Sequence, residues 1–246
     1  MSRRRVEWCF LGSVPYDAAV RLQDAVRRGV RDGDAPERLL LLEHPPVYTL
    51  GRNAGDGEIT ADEGWLASRG IAVHETDRGG QATYHGPGQL VGYPILNLSP
   101  DRRDVRRYVA DLCEVLVRTL AELGIVAAPR PSPHVGVWVG EEKIASLGVH
   151  LSRWITTHGF ALNVTTDVSA FAGIVPCGLP GISLTSIARQ TGASHGVEAV
   201  ARRLVPHFAA VFERELVEAA PPPELLAAAG VDAPLAGASK LNVPTA

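Results

Sequence analysis

The chain is short of several things, and each shortage excludes something. Of its 24 basic residues only Lys143 and Lys240 are lysine, leaving 22 arginines. It has three cysteines, Cys9, Cys113 and Cys177, an odd number at irregular spacing. That rules out a disulfide framework, and no pair has the spacing of zinc ligands. Positive charge is not in excess: 24 Lys and Arg stand against 27 Asp and Glu, a net charge of -3. Such a chain is not built to bind nucleic acid by neutralising phosphates. No apolar run reaches the roughly 18 residues of a membrane span. The opening Ser2-Arg3-Arg4-Arg5 is followed by Glu7 and by an apolar stretch too short for a signal peptide. A reducing cytoplasm is the expected setting. There is no G-x-x-x-x-G-K-[ST], and no G-x-G-x-x-G between a strand and a helix. Neither ATP nor another cofactor is expected, and no metal.

What is there suffices for one good core, with 246 residues of which 46% are hydrophobic. Val6 to Leu11 reads as a strand. Tyr16 to Val30 carries apolar residues at helical spacing. Leu39-Leu40-Leu41-Leu42 reads as a buried strand, Val47 to Leu50 as a short one, Ala61 to Ser68 as a helix and Ile71 to Glu75 as a strand. Gln89 to Leu98 reads as a strand interrupted at Pro94. Ser99 and Pro100 suit the N-cap and first turn of a helix with Val105, Val109, Leu112, Leu116 and Leu120 on one face. Val135 to Val139 and Ile144 to Leu151 form an expected hairpin around Gly140 and Glu141. Phe160 to Val164 is a further strand and Val197 to Leu216 the last helix. The expected fold class is α+β: a single domain with a mixed β-sheet and flanking helices. Residues 1–218 form the expected catalytic domain, and the Ala- and Pro-rich residues 219–246 a flexible tail.

Three features carry chemistry. Residues 78–89 read Arg78-Gly79-Gly80-Gln81-Ala82-Thr83-Tyr84-His85-Gly86-Pro87-Gly88-Gln89, five of the twelve being Gly or Pro. That composition reads as a loop rather than core, suited to a backbone that must come close to a ligand. Arg78 can anchor the loop or face the ligand, and His85 can fix the loop or act as a donor or base. The second feature is Lys143 in an apolar run. In a body otherwise furnished with Arg, it is the one basic group able to give up its proton and act as a base. The third is Cys177, between Pro176 and Gly178, on a turn that would leave its thiol reachable. Cys9 and Cys113 sit in apolar, periodic surroundings and read as core filling. A reachable thiol and a shiftable amine point to covalent catalysis.

These segments carry a resemblance. Leu41-Leu42-Glu43-His44-Pro45, Tyr48-Thr49-Leu50-Gly51-Arg52, the loop at 78–89, Lys143-Ile144-Ala145-Ser146-Leu147-Gly148, Gly159-Phe160-Ala161-Leu162-Asn163 and Pro176-Cys177-Gly178 occur in this order. Over about residues 35–215 the chain resembles the lipoyl(octanoyl) transferase family. The resemblance implies the catalytic fold shared by biotin and lipoate protein ligases. It implies transfer of an octanoyl group from octanoyl-acyl carrier protein to a lysine of a lipoyl domain. The implied acceptors are the lipoyl domains of 2-oxoacid dehydrogenase complexes and the glycine cleavage H protein. Residue by residue, Cys177 matches the acyl-thioester nucleophile and Lys143 the residue that lowers its pKa. Arg78, Gly79, Gly80, Gln81, Ala82, Thr83, Tyr84 and His85, then Ser146, Leu147 and Gly148, then Gly159, Phe160 and Ala161, match the acyl-substrate pocket. The rivals are an ATP-dependent lipoate ligase, a thioesterase and a non-catalytic acyl-carrier-binding module.

Overall fold

The computed structural model describes residues 3–132, 134–176 and 181–231. Cys177 and the end of the chain from 232 lie outside the described residues. In chain order the elements are β1 (Arg4–Ser13), α1 (Tyr16–Asp32), β2 (Glu37–Glu43), β3 (Val47–Leu50), α2 (Glu63–Ser68), β4 (Ala72–Glu75), β5 (Ala82–His85) and β6 (Gln89–Ile95). They continue with α3 (Val105–Glu122), β7 (Ala128–Arg130), β8 (Gly136–Val139), β9 (Glu142–Ser152), β10 (Ile155–Asn163), β11 (Ser183–Leu184) and α4 (Ile187–Thr191). Last come α5 (Val197–Phe212), β12 (Arg214–Glu218) and α6 (Pro223–Ala229).

The main sheet runs β12-β1-β2-β6-β10-β9-β8-β7, with β11 paired to β9. It is mixed: β1 lies parallel to both β12 and β2, whereas β2, β6, β10, β9 and β8 pair antiparallel in turn. Both faces are covered, so the central strands are apolar on both sides. Strand side chains alternate between faces. On β2, Leu39 and Leu41 enter the core beneath α3 and α5, while Leu40 and Leu42 enter the one beneath α1 and α6. A second sheet, β4-β3-β5, packs Tyr48, Ala82 and Tyr84 against Phe171 and Ile174.

Several expectations need correction. The helix α3 starts at Val105, because Asp104 is its N-cap and accepts from the backbone N–H groups of Arg106 and Arg107. Ser99 and Pro100 precede it in a turn. Pro94 does not interrupt β6 but lies within it, in register with Leu39 of β2. The last long helix stops at Phe212, where Glu213 adopts φ 54° and turns the chain into β12. Leu216 keeps helical spacing from Phe212, which hid the change. Residues 82–85, read as part of a loop, form a buried strand on β3. Within the part expected to be a flexible tail, helix α6 buries Leu226 and Ala229 against α1, and Arg21 Nε donates to the Ala229 carbonyl. No helix among the described residues is long and apolar enough to cross a membrane.

Candidate active site

The segment before β5 crosses over β9. The Gly79 N–H donates to the Val149 carbonyl at 3.0 Å. A Cβ on Gly148 would lie 2.9 Å from the Gly79 carbonyl oxygen, so the two backbones meet only because position 148 is glycine. Arg78 holds the crossing. It is buried, and its guanidinium donates to the Thr49 hydroxyl, the Thr49 carbonyl at 2.6 Å and the Gln81 carbonyl at 2.7 Å. Arg78 therefore anchors the loop and also lines what the loop covers. That is a cavity of about 430 Å³ between this segment and strands β5, β6, β9 and β10.

The structure brings most of the expected pocket residues together around the cavity. Its walls include Arg78, Gly79, Gly80, Gln81, Ala82, Thr83 and His85 from one segment, Ser146, Leu147 and Gly148 from β9, and Gly159, Phe160 and Ala161 from β10. Tyr84 is the exception. Strand alternation points it opposite to Thr83 and His85, and its ring packs on Phe171 and Tyr48, at 5.3 and 5.9 Å between centroids.

Lys143 stands beyond the Ser146 end of the cavity. It is 2% exposed, with Nζ 5.8 Å from the centre of the Trp138 ring. Its side chain lies in a slot left by Gly136, where a Cβ would sit 2.5 Å from Cε and 3.2 Å from Nζ. Cys177 lies outside the described residues, but the chain on both sides of it is fixed. Before it, the Val175 N–H donates to the Glu58 carbonyl at 2.8 Å, and Ile174 bridges Ile59. The Glu58 carboxylate accepts from the Ala82 N–H at 2.6 Å, which ties the same segment to the cavity wall. After it, Ser183 and Leu184 pair in parallel with Glu142 and Lys143.

The matching family is the lipoyl protein ligase A/B catalytic domain, over residues 15–209. The chain is 49% identical over 210 residues to an octanoyltransferase from Solibacter usitatus, covering 85% of this chain and 94% of that one. It is also 49% identical over 218 residues to an octanoyltransferase from Myxococcus xanthus, covering 86% of this chain and 61% of that longer protein. The chain belongs to this family, on its octanoyltransferase branch. In fold it matches a lipoate-protein ligase A bound with ATP, at a TM-score of 0.76, 18% identity, and coverage of 94% of this chain and 93% of the other. At that identity the likeness speaks for the fold alone. Among its own kind, the chain is an acyltransferase.

A buried polar chain backs this octanoyltransferase cavity. His85 Nδ1 donates to Gln89 Oε1 at 2.7 Å, and Gln89 Nε2 donates to the Tyr84 carbonyl and to Asn163 Oδ1. Asn163 Nδ2 donates to the Thr185 carbonyl, and the Thr185 N–H donates to the Lys143 carbonyl. Burial, with His44 as a like neighbour, holds the His85 pKa well below the usual histidine range. His85 is thus neutral, protonated on Nδ1, with Nε2 left as an acceptor. Sequence reasoning missed other parts of the site. Tyr93 and Val91 could have been found from β6, where they share a face. Tyr16, Asn53 and Glu58 come from distant segments and carry no local signal. His158 borders the Gly159-Phe160-Ala161 motif and was overlooked.

His44 is neutral for the same physical reason. Its Nδ1 donates to the Val14 carbonyl at 2.6 Å and its Nε2 accepts from the Tyr93 hydroxyl at 2.7 Å. Burial pushes its pKa from 6.5 down to about 4. An unfolded chain would protonate it near 6.5 and the folded one only near 4, so the unfolded state binds more protons between those values. Stability from His44 is fully present above about pH 6.5 and is lost as pH falls toward 4, by about 3 kcal/mol over the whole window. Urea midpoints at pH 7.5 and 5 should therefore differ less for His44→Gln than for the parent protein. Equal differences would contradict a buried neutral imidazole.

The remaining cysteines are poor nucleophiles. Burial pushes the Cys9 thiol up to about 12 and the Cys113 thiol up to about 11. Arg102, Arg103, Arg106 and Arg107 cluster near the start of α3. Arg102 is buried, pairs with Asp111 and lies over the Phe212 ring, and Arg103 lies over Trp154. Arg103, Arg106 and Arg107 are exposed, and Arg107 Nε lies 3.9 Å from Asp111.

Proposed function

We propose that this enzyme, working in the cytoplasm, transfers an octanoyl group from octanoyl-acyl carrier protein to a lysine of a lipoyl domain through a thioester on Cys177. The lipoyl domains of 2-oxoacid dehydrogenase complexes and the glycine cleavage H protein are the proposed acceptors. The observation that carries this reading is a cavity of about 430 Å³, walled by glycine backbone, apolar side chains and a few polar ones, that lies along β9, the strand of Lys143. The parallel pairing of Ser183 and Leu184 with Glu142 and Lys143 supports it, because it brings the chain that follows residue 177 back to that strand.

In the first step Lys143 takes the Cys177 thiol proton. The thiolate attacks the octanoyl thioester, and the bond to the carrier sulfur breaks as the bond to Cys177 Sγ forms. Lys143 gives its proton to the departing carrier thiolate. In the second step the acceptor amine attacks the acyl-enzyme, an amide replaces the thioester, and Cys177 leaves as thiolate. The amine proton passes back through Lys143. A thioester already carries the activation that an amide needs, so no ATP is required. The test is transfer from octanoyl carrier protein to a lipoyl domain in nucleotide-free buffer. Transfer only with ATP, with pyrophosphate released, would make the chain a ligase instead.

Gly136 offers a sharp check on Lys143. A Cβ there would collide with Lys143 Cε and with the Ala145 carbonyl oxygen at 2.6 Å. Gly136→Ala should displace the amine and lower kcat about 10-fold or more, with the KM for the carrier little changed, because misplacing a catalytic group by an ångström is costly. An unchanged kcat would mean that the position of the amine does not matter.

A further inference from the structure

His158 lines the cavity at the level of Val149, six residues along β9 from Lys143. Behind His158 is a smaller cavity of about 140 Å³, lined by Gln23, Asp24, Arg27, Asp77 and His150 among others. Among the described residues His158 alone lines both cavities. It is held there from three directions. Its backbone N–H donates to Gln23 Oε1 at 2.7 Å, its Nε2 meets Asp77 Oδ1 at 2.8 Å, and its ring stands edge-on to Tyr93 at 6.0 Å. The backbone is in the left-handed region, at φ 55°, inside a strand. A non-glycine residue adopts that conformation at some energetic expense, so the surroundings force it.

The length from Ser146 to the level of His158 can be read from the strand register. The Lys143 amine lies beside Gly136, which pairs with Ser146, and Ser146 in turn faces Ala161. His158 faces Val149. Three strand steps of about 3.3 Å separate Ser146 from Val149, or ~10 Å. A fully extended octanoyl chain, with roughly seven C–C bonds of about 1.5 Å in zigzag, spans ~9 Å.

We infer that His158 is the end wall of the acyl cavity and the residue that sets its chain length near eight carbons. This rests on the acyl-transfer reading above. The wall is a single side chain with space behind it, rather than packed core. The rear cavity is polar, carrying Asp24, Arg27, Asp77 and His150, so opening it admits only a short extension of an alkyl chain.

The experiment is a chain-length profile with hexanoyl, octanoyl, decanoyl and dodecanoyl carrier protein, on the parent protein and on two variants. His158→Gly removes the wall and suits the left-handed backbone. His158→Asn shortens the side chain and also tolerates that conformation, so it carries the test if the glycine variant does not fold. Thermal melting confirms folding. The expected result is that the ratio of kcat/KM for octanoyl over decanoyl falls about 10-fold or more, since one or two methylenes in a pocket discriminate on that scale. A folded variant that keeps the parental order of chain lengths overturns the end wall while leaving acyl transfer standing. Failure of the parent protein to transfer octanoyl at all overturns the reading beneath it.

Discussion

A Lys143→Arg protein should fold, keep positive charge at position 143, and lose turnover by about 10²-fold or more, on the scale of general acid–base catalysis. The reasoning begins with composition. The chain uses Arg at 22 positions and Lys at two, one of them in the segment from 232 onward. If charge were all that position 143 required, Arg would serve. An Arg cannot give up its proton near neutral pH, because its pKa stays above about 12. The site is also narrow: Lys143 is 2% exposed and fills the slot left by Gly136. Bulk must therefore be separated from proton transfer. Iodoacetamide alkylation of Cys177 near neutral pH does this. It should stay fast in Lys143→Arg and slow down in Lys143→Met, whereas transfer should be lost in both. Full transfer by Lys143→Arg would reduce the amine to a fixed charge and remove it from the proton pathway.

The second large effect is expected of Cys177→Ala. Losing a nucleophile costs about 10³-fold or more when no other group can replace it. The structure explains why none can. Cys9 lies within the core beneath α1 and Cys113 within the core beneath α5, and burial holds both thiols at about 11 to 12. Neither supplies a thiolate near pH 7.5. Cys177→Ala should form no acyl-enzyme and transfer no octanoyl group, while melting like the parent protein. Substantial transfer by Cys177→Ala would mean that the carrier thioester reacts directly with the acceptor amine.

The sequence made the segments that line the cavity more legible than the fold around them. They could be read because local composition marks them, with glycines where backbones cross, as at Gly79 and Gly148. The mixed sheet and its flanking helices were also readable from periodicity. What escaped depended on partners far along the chain. Arg214 to Glu218 became a strand because β1 offers an edge, and nothing local distinguishes Leu216 from one more helical position. Ala82 to His85 became a strand because β3 lies alongside, despite glycines before and after it. Tyr84 matched the motif yet faces the other way, because alternation decides direction. His158 escaped because its meaning lies in two cavities, and a cavity has no sequence.

The central claim is a thioester on Cys177, and intact-protein mass spectrometry tests it most directly. The protein is mixed with octanoyl carrier protein in buffer free of nucleotide, quenched in acid, weighed and then digested for peptide mapping. The account predicts one added octanoyl group, on the peptide carrying Cys177, released by hydroxylamine and lost when a lipoyl domain is added. An octanoyl group on Cys9 or Cys113, or an unmodified protein that still transfers octanoyl at the full rate, would contradict it.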